Sequence, residues 1–335
     1  MQSNEKDIGI IRQCADAFRE QPDIKYIVKG MIEEGTATCV WGDSGAGKTY
    51  FMLTLGICIA AGIPFMDRDT TQMTVLYIDE EMGWRTFERR VRQVCNGLGL
   101  KEENLKKLPF YYTCSNSYNF KMPADVNNAL EKAKKLGAKL AFIDALVDVM
   151  EGDENSVKDI RPIFNNLKTF LANEIGYFIN HHSIKNGNDY RGSSSIKGFV
   201  DNLINIDAQK STNNFTVKFD KTRDGRFADI DALKVYEKDS FSIEVLDNTS
   251  PTEVIILRVL ENIDEASTIE LIEIGKQEGV KNIKAGIYSL LNKGKIECSN
   301  PNAPNKVGKK YRLVRKITIA EQLKAYLGNL ELEDD

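Results

Sequence analysis

Residues 42–49 read Gly-Asp-Ser-Gly-Ala-Gly-Lys-Thr, the G-x-x-x-x-G-K-[ST] spacing of a loop that wraps phosphate groups. Glycines let successive backbone N–H groups turn inward around an anion, and a following helix adds the positive end of its dipole. Lys48 would reach the outer phosphates of a nucleotide, and Thr49 would hold Mg2+ through its hydroxyl. The candidate nucleotide-binding set is Gly42, Asp43, Ser44, Gly45, Ala46, Gly47, Lys48, Thr49 and the adjoining Tyr50. A second anchor is Asp144, which ends the apolar run "KLAFID" and could share the metal with Thr49 or cap the following turn. Asp79, Glu80 and Glu81 cluster in "VLYIDEEM", and the two histidines of the chain, His181 and His182, end "GYFINHH". Neighbours on a strand face opposite ways, so at most one of these histidines would face a phosphate.

Such residues need a scaffold that gathers strand ends. The strand candidates are 36–41, 73–79, 108–113, 139–144, 176–181 and 202–207, with helical segments at 48–61, 84–98, 124–136 and 157–174. Short, nearly all-apolar strands alternating with helices predict a parallel sheet covered on both faces. After 207 the runs "NFTVKFDKTRDGRF" and "DALKVYEKDSFSIEVL" predict antiparallel strands at one edge. "NTSP" at 248–251 marks a boundary, and three helical runs then precede two short strands around a polar loop, the plan of a winged helix. The expected domains are a helical arm at 1–28, the α/β domain at 29–248, the winged helix at 252–316 and an acidic tail at 317–335.

Ala145 follows Asp144, whereas ATPases of the AAA+ class place a water-orienting glutamate there. That carboxylate must come from elsewhere, and the cluster Asp79, Glu80 and Glu81 at the end of "VLYIDEEM" supplies it. At this point the sequence resembles the RecA/DnaB-type ATPases, and most closely the RepA-like hexameric helicase branch, over about residues 25–245. The resemblance implies a RecA-like fold binding ATP and Mg2+, the latter on Thr49 and Asp144. It makes Glu81 the residue that orients the attacking water, with Glu80 in reserve, and a histidine such as His182 a sensor of the γ-phosphate. "DYRGSSSIKGFVDN" is similar to the family's loop facing a central channel, so Arg191 and Lys197 would contact a single strand of DNA there, or the loop would meet a neighbouring subunit. Lys221 and Arg223 in "KTRDG" match a K-x-R-x-G element that supplies cations to the neighbouring subunit's phosphate. Homo-oligomers, as hexameric rings, and replication proteins of a plasmid, phage or mobile element are the implied partners.

The net charge of −4 and the pI near 5.6 argue against coating nucleic acid by bulk charge, yet the C-terminal region is locally basic. Residues 277–316 carry ten Lys/Arg against two acids, a local +8, while 317–335 hold five acids and one lysine, a local −4. Lys281, Asn282 and Lys284 on the third helix, and Lys309 and Lys310 by the wing, are the expected duplex-DNA contacts, with protein docking the alternative use of such a module. Six scattered cysteines without a C-x-x-C pair, no N-terminal apolar leader and no span of ~20 apolar residues predict a reduced cytoplasmic setting away from membranes. Two other functions fit the same residues: an ATP-gated DNA loader, initiator or regulator with little turnover, and a KaiC-like signalling ATPase.

Overall fold

The computed structural model describes residues 13–14, 24–154, 156–182, 196–208, 212–223, 227–246, 250–278, 280, 282–301, 303 and 309–314. A small antiparallel hairpin, β1 (Tyr26–Val28) and β2 (Ile32–Glu33), precedes the main sheet. That sheet comprises β3 (Ala37–Gly42), β4 (Val75–Asp79), β5 (Phe110–Cys114), β6 (Leu140–Asp144), β7 (Gly176–His182), β8 (Asn202–Ala208), β9 (Asn214–Lys221), β10 (Ile230–Tyr236) and β11 (Phe241–Val245). Its nine strands run in the order β11-β10-β9-β8-β3-β7-β6-β4-β5. Every pairing from β8 to β5 is parallel, and β8, β9, β10 and β11 pair antiparallel. This is a RecA-like α/β fold, with helices on both faces and an antiparallel edge.

Strand alternation divides the apolar residues between two cores. Val75 and Tyr77 of β4, Leu140 and Phe142 of β6 and Phe178 of β7 pack with α1 (Lys48–Ala61) and α2 (Trp84–Gly97). Leu76, Ile78, Ala141, Ile143, Tyr177 and Ile179 pack on the other face, beneath α4 (Pro123–Lys135) and α5 (Val157–Ala172). Phe142 lies stacked between Tyr77 and Phe178, with ring centroids 5.5 and 4.9 Å away. Truncating it to alanine would cost about 3–5 kcal/mol. Helix α1 is buried at every position except Tyr50, as expected of a helix apolar all round, and a left-handed Gly62 ends it. A short α3 (Glu102–Leu105) lies between α2 and β5.

The C-terminal part has its own core of Ile256, Leu260, Leu271, Ile283, Ile287 and Leu290. Helices Pro251–Asn262, Thr268–Gln277 and Ile283–Asn292 pack with an antiparallel sheet of β12 (Ala266–Ser267), β13 (Ile296–Cys298) and β14 (Lys310–Leu313), ordered β12-β14-β13. Ser250 and Ser267 open the first two helices, each accepting a bond from the backbone N–H of the glutamate three residues on, Glu253 and Glu270.

One boundary is corrected. Residues 26–28, expected to close a helical arm, form β1, and Ile27 and Val28 are buried against the α1 core. Most of the expected arm and the whole acidic tail lie outside the described residues. No helix among the described residues is long and apolar enough to cross a membrane.

Candidate nucleotide site

The loop between β3 and α1 is built on close backbone approach. Gly42 has φ 152°, and a Cβ there would sit 2.5 Å from the Ile206 carbonyl oxygen of β8. Gly47, at φ 95°, occupies the left-handed region that lets the loop enter α1. Asp43, Ser44 and Gly45 crown the loop in solvent, while Lys48 and Thr49 lie beneath it, 3% and 8% exposed. The Lys48 ammonium donates to the Gly42 carbonyl at 2.8 Å and the Asp43 carbonyl at 3.0 Å. Burial pulls its pKa below the usual lysine range, against the opposing pull of Asp144, Glu81 and Asp43.

Asp144 is fully buried at the end of β6. Its carboxylate accepts the Tyr77 hydroxyl at 2.7 Å, the Asn180 side-chain amide and a bond from Thr49. Burial raises its pKa, and those three donors oppose the rise. The Thr49 hydroxyl and the Asp144 carboxylate are thus in contact, and two hard oxygen donors suit Mg2+, which keeps most of its waters. Asp79 stands beside Asp144 on β4, in register with it, and burial followed by the Asp144 charge pushes its pKa up to about 7. The Asp79 carboxylate accepts the Met82 N–H at 3.0 Å and so shapes the turn that carries Glu80 and Glu81.

That turn separates the two glutamates. The Glu80 carboxylate accepts the Asn116 backbone and side-chain N–H groups at 2.9 and 2.8 Å and the Ser117 N–H at 2.8 Å, which anchors the segment after β5. Glu81 faces the loop instead, its carboxylate 3.7 Å from His182 Nε2. His182, then burial-opposing Lys48 and Arg90, hold the Glu81 carboxyl below its ordinary range.

The histidine pair splits as β7 requires. His182 lies between Lys48 Nζ, 3.3 Å from its Nδ1, and Glu81. An ammonium only donates, so Nδ1 faces Lys48 as the acceptor while Nε2 faces Glu81. His181 turns to the other face of the sheet, where its Nδ1 lies 3.6 Å from Glu154, and burial pushes its pKa down to about 4.

Other expected residues lie elsewhere. Lys221, at the end of β9, pairs with Leu203 at the start of β8, and its ammonium donates to the Lys197 carbonyl at 2.7 Å and to the Val200 carbonyl. Arg223 pairs with Asp201 at 3.0 Å, and that carboxylate also accepts the Ala37 N–H at the start of β3. The five residue steps from Ala37 to Gly42 put these cations about 17 Å from the loop of the same chain. They do not enter their own site. Lys197 is exposed near them, whereas Arg191 and Lys281 lie outside the described residues. Asn282, at φ 65°, precedes the helix Ile283–Asn292, and it and Lys284 are exposed. Lys310 is exposed and pairs with Glu265 at 3.4 Å, and Lys309 adjoins it, half-buried.

Four residues that sequence reasoning missed also meet here. Tyr77 and Asn180 hold Asp144, as described. Tyr236 and Lys234 share the inner face of β10, where Tyr236 meets Tyr50 edge-on with ring centroids at 5.8 Å. Tyr50 stacks on Phe241 at 4.2 Å and carries the Arg90 guanidinium over its ring at 5.1 Å. The signal for Lys234 was the alternation "DALKVY", which puts a lysine in phase with Ala232 on the buried face.

A phosphate loop, a metal-suited Thr–Asp pair and a facing glutamate, all at the carboxyl ends of parallel strands, define a P-loop ATPase. Residues 10–188 match the model of the family described as AAA domain, and the chain belongs to that family. No curated protein matches the chain.

Proposed function

We propose that the protein is a ring-forming, DNA-dependent ATPase, a helicase or remodeller of the RepA/DnaB type in the replication of a plasmid, phage or other mobile element. The observation that carries the hydrolytic part is the line Lys48–His182–Glu81 at the mouth of the loop, beside Thr49 and Asp144. Lys48 and the loop N–H groups bind the triphosphate, and Thr49 and Asp144 would hold Mg2+, which would offset the phosphates' charge. Tyr50, Tyr236 and Arg90 offer an aromatic and cationic surface to the base. Glu81, held ionised, takes a proton from a water as its oxygen attacks the γ-phosphorus. The bond from that phosphorus to the bridging oxygen breaks, leaving ADP and phosphate. His182 faces Glu81 with Nε2 and keeps the carboxylate aimed.

The trans part rests on the separation of Lys221 and Arg223 from their own loop. In a ring they act on the neighbour's phosphates, which ties hydrolysis to assembly. We read the C-terminal helices and β12-β14-β13 sheet as a winged helix that holds duplex DNA through Asn282, Lys284, Lys309 and Lys310, with Lys281 in the same basic run. Arg191 and Lys197 serve the single strand. Its setting on this reading is the cytoplasm. Steady-state ATP hydrolysis by the wild type and Lys48→Ala, with and without single-stranded DNA, tests the reading. Stimulation by DNA that is lost in the variant is the expected result, and full turnover by Lys48→Ala would sink the site.

One observation favours a second reading. The own-chain partners of Lys221 and Arg223 leave them engaged away from any phosphate, which suits an ATP-gated loader or regulator with slow turnover. Turnover indifferent to single strands and to protein concentration would select it.

A further inference from the structure

Lys234 is a buried lysine, 7% exposed, that pairs with no carboxylate among the described residues. Among those residues the other buried cations each have a carboxylate in reach: Lys48 has Asp144, Glu81 and Asp43, and Arg68, 6% exposed, has Asp67. For Lys234, burial alone acts, and it pulls the ammonium below the usual lysine range. Its surroundings are the Phe215 ring, 5.8 Å away, and the carbonyl of Ala46 in the phosphate loop, to which Nζ donates at 3.2 Å. An ammonium taken out of water without a counter-charge destabilises a fold, so this one stands where an anion would compensate it.

The hydrogen bond also has a geometric consequence. A trans peptide points its C=O and N–H in opposite directions. Holding the Ala46 carbonyl toward β10 therefore turns the Gly47 N–H the other way, into the concave side of the loop. The φ of 95° favours glycine at 47, and the packing is close, since a Cβ there would lie 3.1 Å from Lys234 Cδ.

We propose that Lys234 is a second phosphate-loop lysine, a positioning residue on the antiparallel edge that fixes the Ala46–Gly47 peptide for phosphate binding and whose charge the nucleotide's phosphates offset. The inference rests on the nucleotide reading of this loop. It ties the far edge of the sheet, three strands from β3, to the loop in the same chain.

The experiment measures the Kd of Mg·ADP by calorimetry and the Tm with and without Mg·ADP, for the wild type, Lys48→Ala, Lys234→Met and Lys234→Gln. Lys234→Met is expected to weaken Mg·ADP binding about tenfold or more, the loss typical of a bond to a charged group. Its Tm without nucleotide should stay level or rise, since an unpaired buried charge is gone, while the rise on adding Mg·ADP shrinks. Lys234→Gln keeps an N–H donor without the charge, so it should lose less affinity and report even if the methionine variant fails to fold. Wild-type affinity in both Lys234 variants, with Lys48→Ala unable to bind, overturns the proposal and leaves the nucleotide site standing. A lowered Tm with an undiminished Mg·ADP shift overturns it too, since Lys234 would then be structural only. A wild type that binds no Mg·ADP overturns both.

Discussion

The two ends of the main sheet use their cations in opposite ways. At the carboxyl ends of the parallel strands, Lys48 and Lys234 both turn toward the phosphate loop, bonded to the carbonyls of Gly42, Asp43 and Ala46. At the amino ends, Lys221 and Arg223 are held by the Lys197 and Val200 carbonyls and by Asp201, all near the start of β8. The carbonyls at the first end belong to the loop whose N–H groups face the phosphate site, whereas those at the second belong to the segment before β8, far from that loop. The difference teaches that the same residue type on neighbouring strands of one antiparallel edge serves different ends according to strand direction. β10 begins far from the loop and climbs to it, while β9 starts beside it and runs away.

Breaking the first end should have the largest effect. Lys48→Ala is expected to lose ATP turnover by more than about a hundredfold, read by phosphate release. Breaking the second end sharpens the comparison. Arg223→Ala should keep ATP binding but lose about a thousandfold in turnover if the cation acts on a neighbour, and mixing with Lys48→Ala subunits should then restore activity. Unchanged turnover would mean that the Asp201 pair is merely an exposed ion pair worth less than about 1 kcal/mol.

A smaller effect is expected in the C-terminal part. Replacing Lys284 and Lys310 together with alanine should flatten the dependence of duplex-DNA affinity on salt by about two charges. A slope equal to the wild type's would instead favour protein docking there.

The smallest expected effect concerns the other face of β7. His181 has a pKa near 4 in the fold, below the 6.5 of a free histidine. The unfolded chain therefore takes up its proton first, and stability falls as pH drops from about 6.5 to about 4. His181→Gln should flatten that part of a plot of Tm against pH, and an unaltered slope would assign the loss to other groups.

Much of this arrangement was legible in the residues themselves. Helix 48–61 and the parallel strands announce themselves through apolar runs bounded by glycine and charge, and the strand period alone sends His181 and His182 to opposite faces. Sheet order was not legible, because nothing local tells β3 to lie between β7 and β8. The β1–β2 hairpin went unseen because Tyr26–Glu33 is too short to show a period, and its burial comes from the α1 core. The resemblance already put Glu81 ahead of Glu80, but that the N–H groups of the Asn116–Ser117 segment, thirty-six residues on, hold the Glu80 carboxylate was not legible. Lys234 required the whole antiparallel edge to fold before its nearness to Ala46 existed.

The central claim is that the carboxyl end of the sheet is a hydrolytic site with Glu81 at the attacking water. The most direct measurement compares ATP binding and single-turnover hydrolysis in Glu81→Gln and Glu80→Gln. The account predicts that Glu81→Gln binds ATP with near wild-type affinity and fails to hydrolyse it, while Glu80→Gln hydrolyses and loses only stability of the segment at 115–117. Hydrolysis surviving in Glu81→Gln but abolished in Glu80→Gln would contradict it.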